Sequence, residues 1–171
     1  MKIILLGYMA SGKSTIGREA SKKLNTNFID LDDYISNREK MTISEIFKNK
    51  GEIYFRIKEN KYLKEILDSE EDFILSLGGG TPCYAGNMDL IKASTATSIY
   101  IKASIKTLVD RLKNEKNTRP LVSELNDDKL SEYVAKHLFE RRFFYEQANT
   151  TISSDNLTSK EVVTEIEKLL N

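Results

Sequence analysis

Apolar residues in this chain fall into short unbroken runs, separated by longer stretches in which they recur every three or four positions. Ile3-Ile4-Leu5-Leu6 is a run of the first kind. It is too short for a helix and apolar on both faces, as expected of a strand buried inside a parallel sheet. Similar runs at residues 27–31, 73–77 and 97–101, with a shorter edge segment at 150–153, predict four further strands. Between them the spacing turns helical. Ile16, Ala20 and Leu24 share one face of a helix over residues 13–24. Further helices are expected over 32–39, 43–48, 51–67, 87–93, 127–147 and 158–170. Ser104 is placed to cap another that runs to Leu112. Residues 113–124 are polar and charged around Arg119-Pro120 and predict a mobile loop. Strands alternating with helices give an α/β fold, a parallel sheet covered on both faces. With 171 residues and no repeat or linker, one domain is expected over residues 1–171.

Directly after the first strand comes Gly7-Tyr8-Met9-Ala10-Ser11-Gly12-Lys13-Ser14-Thr15, which fits the phosphate-loop pattern G-x-x-x-x-G-K-[ST]. Gly7 and Gly12 permit positive φ, so that successive backbone N–H groups can converge on one point. That point lies at a helix N-terminus, where unsatisfied donors and the helix dipole favour an anion. Lys13 would reach the outer phosphates of a nucleotide, and the Ser14 hydroxyl would ligate Mg²⁺.

Composition mostly excludes. Lysine and arginine number 26 against 26 acidic residues, so nothing draws the chain as a whole to nucleic acid or to an anionic membrane. One cysteine, Cys83, rules out an internal disulfide. No apolar run reaches membrane-spanning length, and a strand starting at residue 2 leaves no room for a signal peptide. A cytoplasmic monomer is the expectation.

Ligands of open α/β sheets bind beyond the carboxyl ends of the strands. Asp30 and Asp32 flank the end of the second strand, and at strand spacing both carboxylates would face the phosphate loop. One suits Mg²⁺ held directly or through water, the other a substrate hydroxyl; the competing role is a helix N-cap. Gly78-Gly79-Gly80 ends the third strand and lets a substrate lie against the main chain. Arg56 and Glu59 stand three apart on a helix, as a structural pair or as an arginine braced to grip a carboxylate. Arg141 falls in the middle of the apolar face formed by Leu130, Val134, His137 and Phe144, so it needs an anion, structural or ligand. Arg119 is a cation that a closing loop would deliver to a transferring phosphoryl group, or a solvated one. Arg111 either complements a helix dipole or lies against a base. His137 and Cys83 read as packed side chains rather than catalysts.

Taken together, these residues resemble the shikimate kinases, phosphate-loop enzymes of the nucleoside-monophosphate-kinase fold. The resemblance covers nearly the whole chain. It rests on Gly7–Thr15, Asp30-Leu31-Asp32, Ile46-Phe47, Gly51-Glu52-Ile53-Tyr54-Phe55-Arg56, Gly78-Gly79-Gly80, Arg119-Pro120-Leu121 and Glu140-Arg141 with Tyr145. It implies a three-layer fold whose five-stranded sheet has the order 2-3-1-4-5, a substrate-binding helical insert at about 32–68 and a lid at about 113–124. The reaction implied is transfer of the ATP γ-phosphoryl group to the 3-hydroxyl of shikimate. By the same resemblance, Asp32 faces the accepting hydroxyl as base or orienter, and Arg56 and Arg141 grip the shikimate carboxylate. Gly78–Gly80 line the ring, while Phe47, Phe55 and Glu59 shape the pocket. Lys13 and Arg119 stabilise the transferring group, Ser14 and Asp30 hold Mg²⁺, and Arg111 with the segment at Ser153-Ser154 flanks adenine.

Two positions depart from the family pattern. Ala10 stands where a glycine is common, which stiffens the loop, and Phe143 stands near a usual proline, which lets the late helix run on. Gluconate kinases and nucleoside-monophosphate kinases share the loop and lid, but the GE-x-x-FR helix together with Gly78–Gly80 argues against both. A nucleotide-binding module without phosphotransfer would have no use for the lid arginine.

Overall fold

Strand β1 (Lys2–Leu6) is the middle of the sheet and the reason for its two-sided core. Successive side chains of a strand alternate faces. Ile4 and Leu6 join one apolar cluster with Leu31, Phe55, Leu63, Leu75 and Val134, and Ile3 and Leu5 join a second with Ile16, Ala20, Ile74, Ile99 and Val162. The molecule, a computed structural model, describes residues 1–115 and 120–170, Pro120 and Leu121 by their backbone alone.

The chain continues through α1 (Lys13–Leu24), β2 (Asn27–Asp30), α2 (Leu31–Glu39), α3 (Ile43–Asp68), β3 (Phe73–Ser76), a 3₁₀ turn (Thr81–Cys83) and α4 (Asn87–Ala93). It ends with β4 (Thr97–Lys102), α5 (Ile105–Asn114), α6 (Pro120–Ser123), α7 (Asp127–Tyr145), β5 (Thr150–Ser153) and α8 (Ser159–Leu170). All the strand pairs are parallel, in the order β2-β3-β1-β4-β5. This is the sheet the family resemblance implied.

Several expected boundaries move, each for a local reason. Strand β2 stops at Asp30 because the Asp30 carboxylate accepts the Asp32 N–H and caps α2, so Leu31 is already helical. The two helices expected around Gly51 meet there at a kink, where Gly51 has φ 87° and ψ 169°. The first of them opens with a reciprocal capping box between Thr42 and Glu45. Helix α7 ends at Tyr145 rather than at residue 147, the N–H of Glu146 bonding back to Arg142 and Phe144. Of the loop expected over 113–124, α5 takes the start and α6 a later part; Arg119 lies outside the described residues.

Helix α1 lies close on the sheet because Gly17 carries no side chain. A Cβ there would stand 2.4 Å from Phe28 Cε2 and 3.4 Å from Leu5 Cδ1. Gly17→Ala should therefore destabilise the fold by about 1–2 kcal/mol, the overpacking exceeding alanine's better helix propensity of about 1 kcal/mol. Urea unfolding checks this, and a stabilised variant would mean that Phe28 swings aside at little cost.

Candidate active site

With all strands parallel, the segments leaving β1, β2 and β3 converge on one edge of the sheet. They line a cavity of about 430 Å³. Its floor is the phosphate loop, Met9 to Ile16. Gly7 has φ 146°, and a Cβ there would meet the Ile101 carbonyl oxygen at 2.6 Å; Gly12 has φ 97°. Both conformations are those the sequence pattern required. Ala10 also stands in the left-handed region, at φ 61°, which costs an L-residue roughly 1–2 kcal/mol. Its carbonyl accepts Arg111 Nη1 at 3.1 Å, a contact that helps hold the strained position.

Lys13 is buried, its Nζ donating to the Tyr8 carbonyl at 2.9 Å. Ser14 Oγ donates to Asp30 Oδ2 at 2.8 Å and lies 3.3 Å from Ser76 Oγ. Asp30 thus takes the capping role with one oxygen and accepts Ser14 with the other. Ser14, Asp30 and Ser76 form an oxygen-only donor set at the foot of a phosphate loop, which suits a hard cation such as Mg²⁺.

Asp32 sits in the first turn of α2, not on the strand, and still faces the cavity beside Asp30. Its carboxylate oxygens lie 3.2 and 3.6 Å from where a Cβ on Gly78 would be, so a larger residue at position 78 would crowd it. Burial, with the charges of Asp30 and Glu59, pushes the Asp32 pKa up to about 6, against the opposing pull of Lys13.

Beyond the cavity lies a second group of charges. Glu59 is 1% exposed, accepting Arg56 Nη1 at 2.9 Å and Thr81 Oγ1 at 2.6 Å. The Arg56 guanidinium stacks over Tyr84, 3.9 Å from the ring centroid. Arg56 and Arg141 meet at the glycine turn: a Cβ on Gly80 would be 2.9 Å from Arg56 Nη2 and 3.4 Å from Arg141 Nη2. A Cβ on Gly79 would be 3.3 Å from both Arg141 Nη1 and the Met9 N–H nitrogen. Among the described residues no carboxylate pairs with Arg141. Phe55 belongs to the core, while Phe47, 38% exposed, packs against it at 4.7 Å between centroids and does not line the cavity.

At the other end Arg111, Glu115, Ser154 and Leu157 line the cavity. Here the expectation shifts by one residue. Ser153 is exposed at the end of β5, whereas Ser154 is buried, its Oγ within hydrogen-bond distance of the Ser11 carbonyl at 3.4 Å. Strand parity carried the signal: Ile152 is buried, and Ser154 shares its side. Tyr145, which the resemblance includes without a role, is buried, and its hydroxyl donates to the Gly79 carbonyl at 2.6 Å and fixes the glycine turn. Cys83 lies near both site arginines, yet burial raises its pKa to about 11, so it stays a packed thiol.

By sheet order and by the position of its phosphate loop, the molecule is a phosphate-loop kinase of the nucleoside-monophosphate-kinase fold. Comparison with known proteins narrows the class. The shikimate kinase family profile matches residues 9–171. A shikimate kinase from Flavobacterium psychrophilum is 50% identical over 169 residues, covering 99% of this chain and 98% of that one. Among solved structures, shikimate kinase from Bacteroides thetaiotaomicron superposes with a TM-score of 0.91 at 33% identity, covering 99% and 98% of the two chains. Another, from Acinetobacter baumannii in complex with shikimate, gives 0.86 at 28%, covering 99% and 92%. The chain belongs to the shikimate kinase family.

Proposed function

We propose that this protein transfers the γ-phosphoryl group of ATP to the 3-hydroxyl of shikimate, giving shikimate 3-phosphate and ADP. The observation that carries the reading is the pair Arg56 and Arg141, brought together at Gly80 just beyond Asp32 and the phosphate loop. A nucleoside-monophosphate acceptor would present a phosphate, and gluconate a flexible chain. Two guanidiniums against a rigid glycine turn fit a carboxylate on a compact ring.

In this reading the Asp32 carboxylate accepts the proton of the attacking hydroxyl or orients it, and its raised pKa suits proton transfer near neutrality. The phosphate-loop N–H groups and Lys13 bear the charge of the outer phosphates, and the family resemblance assigns Arg119 the same task. Ser14 and Asp30 would hold Mg²⁺, which supplies charge neutralisation on the phosphates when bound. Arg111 and Ser154 flank the base. Glu59, fixed by Thr81, keeps Arg56 from swinging out of the acid subsite. Residues 32–68 serve as the acid-binding insert, Phe47 and Phe55 stiffening its kinked helix α3.

The reading takes the protein as a cytoplasmic monomer acting on two small substrates. No helix among the described residues is long and apolar enough to cross a membrane. The reading predicts ADP release that requires both shikimate and Mg²⁺. A coupled ADP assay with each omitted in turn checks it, and equal release without shikimate would contradict it.

A further inference from the structure

We propose that His137 is a positioning residue for the phosphoryl transfer proposed above, acting on the phosphate loop through the Tyr8 hydroxyl. His137 stands on α7 one turn before Arg141 and does not line the nucleotide cavity. Its Nδ1 lies 3.0 Å from Tyr8 Oη. The Tyr8 ring meets the imidazole edge-on at 5.4 Å between centroids, and Tyr133 packs on it at 5.2 Å. Burial and the Arg141 charge lower the His137 pKa, which favours the neutral ring; in the tautomer with its proton on Nε2, Nδ1 accepts a hydrogen bond from the Tyr8 hydroxyl.

Tyr8 is itself part of the loop, and it is 1% exposed. Its carbonyl accepts Lys13 Nζ at 2.9 Å and the Ser11 N–H at 3.2 Å. Holding the tyrosine at its hydroxyl therefore fixes the carbonyl that places the Lys13 ammonium. On the same helix, Tyr145 holds the Gly79 carbonyl at 2.6 Å. Helix α7 thus has two polar anchors, one on the phosphate loop and one on the glycine turn, and Arg141 lies between them in sequence. His137 keeps the helix that carries Arg141 in register with the loop that carries Lys13.

The test combines kinetics and a spectroscopic probe. Tyr8→Phe and His137→Leu should each lower kcat by up to about 10-fold, the worth of one neutral hydrogen bond, with KM for shikimate little changed. The double variant should be no worse than either single one, because both remove the same bond. His137→Asn, which keeps an acceptor near the Nδ1 position, should recover most of the loss. Additive losses, or an asparagine variant as poor as leucine, would overturn the proposal. His137 is the only histidine, so its ring gives one assignable set of NMR signals in the unmodified protein. Adding MgADP should move those signals, and the movement should shrink by at least half in Tyr8→Phe. Signals that ignore MgADP would overturn the proposal whether or not the acceptor is shikimate, whereas absent turnover of the unmodified enzyme on shikimate would count against the acceptor alone.

Discussion

Asp32→Asn should lose roughly 10²- to 10⁴-fold in turnover, the usual worth of a positioned proton acceptor, and should at the same time stabilise the fold near neutrality. The second effect follows from the Asp32 pKa, about 6 in the folded protein against an ordinary 3.8. Between those values the folded state binds the extra proton, so stability falls as pH rises from about 4 to about 6. Above that window the full cost is present, up to about 3 kcal/mol at 1.36 kcal/mol per pKa unit. An amide carries no charge to desolvate and no repulsion toward Asp30 and Glu59. Unfolding curves at pH 4 and pH 7.5 should show the variant's advantage only at the higher pH. In the unmodified enzyme kcat/KM should fall on the acid side with an apparent pKa near 6, and a variant with residual activity should lack that limb. Unchanged stability at pH 7.5 would mean that Asp32 is solvated well enough to ionise freely.

Arg141→Ala should act on the other substrate. Losing a charge-assisted bond costs about 1.5–3 kcal/mol, which corresponds to roughly a 10- to 150-fold rise in KM for shikimate. The KM for ATP should stay within about 2-fold, because Arg141 stands against Gly79 and Gly80 and does not line the nucleotide cavity. Steady-state kinetics with each substrate varied separately makes the check. A collapse of ATP affinity with shikimate binding intact would put this arginine in the wrong subsite.

Much of the arrangement was legible because strong local signals agreed with one another. The apolar runs located the five strands, and the glycine pattern fixed the phosphate loop before any packing was known. Strand alternation predicts that Asp30 and Asp32 face the same way, but the chain turns helical at Leu31, and the two carboxylates converge because one caps the helix that carries the other. Arg141 was found by a helical wheel, since a cation on an apolar face is costly without an anion. What stayed hidden depended on contacts far apart in the chain. Tyr145 with Gly79, Thr81 with Glu59 and Tyr84 with Arg56 each join residues whose meeting only the fold decides. The choice between Ser153 and Ser154 turned on strand parity, which the buried Ile152 would have settled.

In the proposed function one end of this site takes a carboxylated ring alcohol and the other takes ATP. A coupled ADP assay offering shikimate, gluconate and nucleoside monophosphates separately, at matched concentrations with Mg²⁺ and ATP, tests it most directly. Turnover on shikimate far above that on the other acceptors is the predicted result. Turnover on gluconate or on a monophosphate, with none on shikimate, would contradict it.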